Sequence, residues 1–227
     1  MAKETNLNLV NFVLKNLGET TISTLSGISG TELLCFDKIN EVIWDVLTKY
    51  KFRFMQANGS ITLVQDDWDY DYPSDCLVVD PESFVYPSDG TKLDYMTPAD
   101  FYRKYPKAPD ASERKTGAPR IVFEDGDYIY IYAMPDSGHA GNKVYFRYWK
   151  KPTLFTTSSN DQTSDFPEPF DRRILVAGAT YKVLAYQGDE ENQRYLGEYS
   201  DALGDLIKMY GDPKLRVLPV ILHGGER

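Results

Sequence analysis

The sequence predicts an α+β protein: an antiparallel four-helix bundle with a small antiparallel β domain inserted between its halves, and an extended C-terminal arm. Three observations predict it. Apolar residues recur with a helical period near both ends of the chain; alternation and Asp-Gly turns fill the middle; the last residues are apolar with neither period. Each terminal helix carries a single apolar stripe, so helices from the two ends must cover one another.

The first helix is expected from about Asn6 to Leu17. Thr5 can cap it, Leu7, Val10, Val13, Leu14 and Leu17 make its stripe, and Gly18 stops it. "GETTISTLSGISG" reads as a polar loop. A second helix follows Thr31, with Cys35, Ile39, Val42, Ile43, Val46 and Tyr50 on one face. In the middle, "SFVYPSDGTKLDYM" and "RIVFEDGDYIYIYAM" each place an Asp-Gly turn between strand-like runs, the pattern of a hairpin. Between them, "TPADF" starts a short helix with Thr97 as cap and Pro98 at its first position. "KVYFRYWKK" reads as the last strand. Helices return at about Phe170–Gln187, stopped by Gly188, and at about Asp189–Tyr210, with Tyr195, Tyr199, Leu203, Leu206 and Tyr210 on one face. Ala177, Gly178 and Ala179 suit a close helix approach. The expected boundaries are 1–57 and 166–211 for the bundle, 58–152 for the β domain, 153–165 for a linker and 212–227 for the arm.

The arm, "LRVLPVILHGGER", raises a question of its own. Leu215, Val217, Leu218, Val220, Ile221 and Leu222 crowd eight positions, while Pro213 and Pro219 disfavour a long helix. Chain ends are usually polar unless tied down, so this one must bury itself on its own core or in another chain.

Composition excludes several functions. The 227 residues carry a net charge of -9, which opposes binding to the phosphate backbone by counterion release. No run approaches the ~20 apolar residues of a membrane span, and the first residues lack signal-peptide order, so synthesis in the cytosol is expected. Cys35 and Cys76 have neither metal nor redox spacing and read as free thiols. Two histidines, His139 and His223, cannot furnish a three-histidine zinc site. "QDDWDYDYPSDC" concentrates aspartates but lacks the glycine hinge and bidentate glutamate of an EF-hand. Alternation accounts for it instead, with Asp69 and Asp71 wet while Trp68, Tyr70 and Tyr72 face inward. In "RYWKK" the lysines read as protection of a strand edge. No acid, base and nucleophile set can be assembled, so neither an enzyme nor a cofactor is expected.

Several pieces, in order, resemble the head-to-tail adaptor proteins of short-tailed and related bacteriophages, also called tail tubular protein A. These are "LTKYKFRFM" and "YDYPSDCLVVD", then "LDYMTPADFYRKYP" and "GAPRIVFEDGDYIYIYAMPDSG", then "YWKKPTLFTTSSNDQTSDFPEPFDRRILVAGATYKVL". The likeness spans nearly the whole chain and is weakest in the loop at 18–30 and in the tail. It implies a structural virion protein that forms a ring, typically of twelve copies, beneath the portal protein at one capsid vertex. Genomic double-stranded DNA would pass through the lumen, and tail nozzle or tail fibre proteins would follow below. A C-terminal arm commonly reaches into the portal, which would make Leu215, Val217, Leu218, Val220, Ile221 and Leu222 a docking arm. Twelve copies at -9 each would carry -108, repelling the duplex rather than gripping it. A rival class is a stand-alone module whose β domain recognises glycan or peptide through the tyrosines of "YIYIY".

Overall fold

The computed structural model describes residues 3–86 and 90–211. It is α+β, with five helices and two sheets, and divides into two compact units. The chain up to Met55 and the chain from Pro152 onward make one unit; Gln56–Lys151 make the other.

Among the described residues, four helices build the first unit: α1 (Asn6–Asn16), α2 (Gly30–Lys49), α4 (Phe170–Gln187) and α5 (Asn192–Tyr210). Thr5 caps α1 as expected, its hydroxyl accepting from the Asn8 N–H. A capping box between Ser29 and Glu32 starts α2, a pairing of cap and third residue that satisfies two orphan donors. Gly188 ends α4 at φ 74°, the left-handed conformation glycine adopts without cost. α5 starts three residues later than expected, because Asp189–Glu191 form a turn in which the Asp189 carboxylate accepts the Glu191 N–H.

α4 is the hub. It packs against α1, α2 and α5, and Ile174, Leu175, Ala177, Gly178, Ala179, Thr180, Val183 and Leu184 are all buried. A helix apolar on nearly every side has to be enclosed. At Gly178 the enclosure is tightest: a Cβ there would lie 2.9 Å from the Tyr199 ring and 3.0 Å from Val42. Lys182 is bonded to Glu41 and Asp45 of α2, at 2.6 Å from the latter.

Asparagines fasten the irregular segments. Asn11 donates to the Ile22 carbonyl at 2.9 Å and accepts the Ile22 N–H at 2.8 Å. Asn40 makes the same reciprocal pair with Phe155, at 3.1 and 2.8 Å. A side-chain amide holds one acceptor and one donor group, as a peptide does, so each pair replaces a backbone bridge. Asn6, fully buried, donates from Nδ2 to the Ser159 carbonyl at 2.7 Å and from its N–H to Gln162 at 2.8 Å. The Asn160 side chain accepts the Leu25 N–H at 2.9 Å. The stretch expected as a linker, 153–165, is thus folded onto the helices, with Phe155 and Ser164 buried. The polar residues that make it read as a linker supply its hydrogen bonds. Turning Asn6 inward also rotates the buried face of α1 to Asn6, Leu9, Val10, Val13 and Leu14.

Among the described residues, the second unit holds nine strands: β1 (Gln56–Thr62), β2 (Asp69–Asp71), β3 (Cys76–Val79), β4 (Val85–Tyr86), β5 (Thr91–Lys92), β6 (Asp94–Tyr95), β7 (Ile121–Asp125), β8 (Tyr128–Tyr132) and β9 (Lys143–Lys150). β9 is the spine of a five-stranded sheet, flanked by β1 and, on its other edge, by β3 and β4, with β5 outermost. The other sheet runs β2-β8-β7-β6. Two hairpins lie where the sequence puts them, β4–β5 and β7–β8. In the second, Gly126 sits at φ 59° in a two-residue loop, suiting a turn with glycine first. Residues 87–89, including Asp89 of the first turn, lie outside the described residues.

The expectation of a purely antiparallel domain needs correction, since β6 pairs with β7 in parallel. The connection between them contains α3 (Pro98–Lys104), and a long crossover through a helix is what parallel neighbours require. α3 packs on β7, so the smaller sheet is covered on both faces. Ile129, Ile131 and Val122 face the core shared with Ile61, Phe84, Val144 and Phe146. Phe123, Tyr132 and Ile121 face Phe101 of α3 and Trp68. The Tyr/Ile alternation of "YIYIY" therefore divides two cores rather than core from water. Trp68 also departs from Tyr70 and Tyr72, which pack on the first core, because regular strand begins only at Asp69.

Replacing Gly178 by Val should destabilise the protein by about 2 kcal/mol or more through overpacking against Tyr199 and Val42. Denaturant unfolding checks this, and an unchanged midpoint would contradict the close approach.

Candidate functional site

The six apolar residues read as a docking arm (Leu215, Val217, Leu218, Val220, Ile221 and Leu222) lie outside the described residues. What the structure does describe is the root of that segment. α5 ends at Tyr210, and Gly211 forms an antiparallel bridge with Phe52. The Gly211 N–H donates to the Ile207 carbonyl at 3.0 Å, and a Cβ at this position would stand 2.5 Å from that oxygen. Around the root lies an aromatic nest in which Phe52 and Phe54 stack at 5.1 Å between ring centroids. Tyr210 meets Phe54 edge-on at 5.6 Å and Phe170 at 6.1 Å. Phe166 closes it at 6.4 Å from Phe54. Such pairs add to the area they bury, so the end of α5 at Tyr210 and Gly211 is firmly held. Beside it Met209 is 63% exposed.

The β unit has an open cleft of about 690 Å³, lined among others by Asp71, Tyr72, Cys76, Glu124, Asp127 and Lys151. Its central carboxylate is already engaged: Glu124 accepts the phenol of Tyr72 at 3.0 Å and that of Tyr95 at 3.1 Å. Burial first, then the Glu124 charge, push Tyr95 up to about 12 and raise Tyr72 as well. Tyr148, donating to Asp75 at 2.8 Å, is likewise pushed up by burial to about 12. These phenols stay protonated donors at neutral pH, and both oxygens of the Glu124 carboxylate are occupied by those of Tyr72 and Tyr95.

Burial raises the Cys76 thiol to about 11 and Cys35 to about 12, which withholds the thiolate a nucleophile needs. His139 stands with Nδ1 2.6 Å from Asp136 on an exposed turn, and that bond lowers the Asp136 carboxyl below its usual range. Within the aspartate-rich stretch, Asp67 accepts the Trp68 N–H and Asp75 the Tyr148 phenol. Among the described residues no group of three or more His, Cys, Asp or Glu is placed to hold a metal ion, and no helix is long and apolar enough to cross a membrane. Of the "YIYIY" tyrosines, Tyr132 is buried and Tyr130 stacks on Phe123 at 4.8 Å, leaving Tyr128 as the exposed one.

The polar groups described above are thus engaged in the fold, and an aromatic nest holds the last described residue before the apolar C-terminal sequence. The sequence model of the SU10 adaptor protein family matches residues 13–218, and the chain belongs to that family. It is a structural adaptor protein of a bacteriophage, and no curated protein matches it. Sequence reasoning passed over the aromatic nest and the asparagine pairs. Their signal was present in "NLNLVNFVLKN", where asparagines recur in a helix despite their weak helix propensity.

Tyr72, Tyr95 and Tyr148 have folded pKa values above the ~10 of a free phenol, so their contribution to stability is complete below pH 10. For Tyr95 and Tyr148 it is lost as pH rises through about 12, and for Tyr72 higher still. Tyrosinate absorbance should therefore lag that of the unfolded chain and rise together with unfolding. Three phenols ionising near pH 10 in the folded protein would contradict the arrangement.

Proposed function

We propose that copies of this chain form a ring, twelve in number, beneath the portal protein, connecting the capsid vertex to the tail nozzle or tail fibre proteins below. Genomic double-stranded DNA passes through its lumen. The helical unit, an antiparallel four-helix bundle carrying the β unit as an insert, faces the portal and the channel. The role is assembly rather than catalysis, and its place is the virion.

The observation that carries this reading is the aromatic nest around Gly211, the last described residue before the apolar sequence. Membership of an adaptor family supplies the context. Leu215, Val217, Leu218, Val220, Ile221 and Leu222 then act as an extended arm in a portal groove. Ordering each residue costs roughly 1–2 kcal/mol, and burying each aliphatic returns roughly 1.5–3 kcal/mol, so docking needs most of the side chains to find pockets. The charge of -9 per copy keeps a passing duplex from sticking.

Truncation after Gly211 should leave melting unchanged and abolish co-sedimentation with purified portal. Loss of folding on truncation would instead assign the segment to the core of the helical unit.

A further inference from the structure

Two surfaces of the helical unit are complementary to each other and lie on different helices. On α2, Leu33 and Trp44 are 38% and 45% exposed. With Asp37 between them they follow a helical stripe at i, i+4 and i+11. This stripe is distinct from the side that sends Glu41 and Asp45 to Lys182. Asp37 is exposed and has no ion-pair partner among the described residues. A half-exposed tryptophan is a large apolar area to leave in water, and it is the residue type that most often anchors interfaces.

The other surface is Phe12 of α1. The Arg172 guanidinium from the first turn of α4 lies 3.9 Å from the centre of its ring, and the Lys15 ammonium 5.7 Å away. Both cations are exposed and neither has a carboxylate partner among the described residues. Two unpaired positive charges held over one aromatic ring, in a protein of net charge -9, form a ready receiver for an acidic, aromatic surface.

We infer that the Leu33–Asp37–Trp44 stripe of one copy docks on the Lys15–Phe12–Arg172 surface of the next. Asp37 pairs with the two cations and Trp44 lies against Phe12. The inference rests on the ring reading above and names the contact that builds the ring. Charge complementarity selects a second copy as the occupant: the general surface is acidic and repels its like, whereas this pair of patches is opposite in sign. Because the patches differ, the contact is head-to-tail, and repetition closes a ring when the rotation permits.

Charge reversal with cross-complementation tests it. The D37R variant and the K15E/R172E variant are each mixed with purified portal and sized by light scattering, with thermal melting recorded. Each alone should need at least tenfold more protein than the wild type for half-assembly. An equimolar mixture of the two should recover assembly, because every junction is then either wild-type or doubly reversed; that recovery also shows both variants to be folded. Assembly of either variant at wild-type concentration, or failure of the mixture to recover while both melt normally, would overturn the inference. Failure of the wild-type chain to assemble on portal would instead overturn the ring reading.

Discussion

Everything in the helical unit depends on the burial of α4 by helices that precede it by more than a hundred residues in the chain. α1 and α2 have one apolar face each and nothing of their own half to lay it on beyond each other. α4 brings an apolar surface on nearly every side, with Gly178 shaved to let Tyr199 and Val42 approach. The cost of joining remote segments is loop-closure entropy, which grows slowly with length. A compact unit of its own is therefore tolerated between the halves.

Burial alone would leave the irregular segments, 18–29 and 153–165, with unsatisfied peptides, and here the asparagines decide. Asn11, Asn40 and Asn160 meet backbone groups of segments that have no strand to pair with. Asn6 does the same from a fully buried position. An unpaired buried peptide group costs about 1–3 kcal/mol. The spacing of these residues is therefore a requirement of the fold, although in the sequence they resemble ordinary surface polarity.

What was legible in the sequence follows from periodicity. The helices and their stops at Gly188 and Tyr210, the capped α3, and both hairpins rest on signals within a few residues of one another. The crossing of the β7–β8 sheet between two cores was not legible, since "YIYIY" alternates in the same way whether tyrosine meets water or α3. Nor was the parallel β6–β7 pair, which depends on where a crossover lands. The candidate site divides along the same line. Composition marks the apolar C-terminal stretch, but the nest that roots it gathers Phe52, Phe54, Phe166, Phe170 and Tyr210 from three distant segments. Likewise the placement of Arg172 over Phe12 joins residues that no local pattern connects.

The division of the helical unit has a consequence in time. A ribosome adds roughly 5–20 residues per second, so Gln56–Lys151 takes about 5–20 s to emerge, and α4 follows only after that. The β unit is one continuous stretch with every strand partner inside it, and it can finish folding while the first two helices still wait. During that interval Leu9, Val10, Val13, Ile39 and Ile43, all fully buried at the end, have no α4 to cover them. The first two helices are thus made early and covered late.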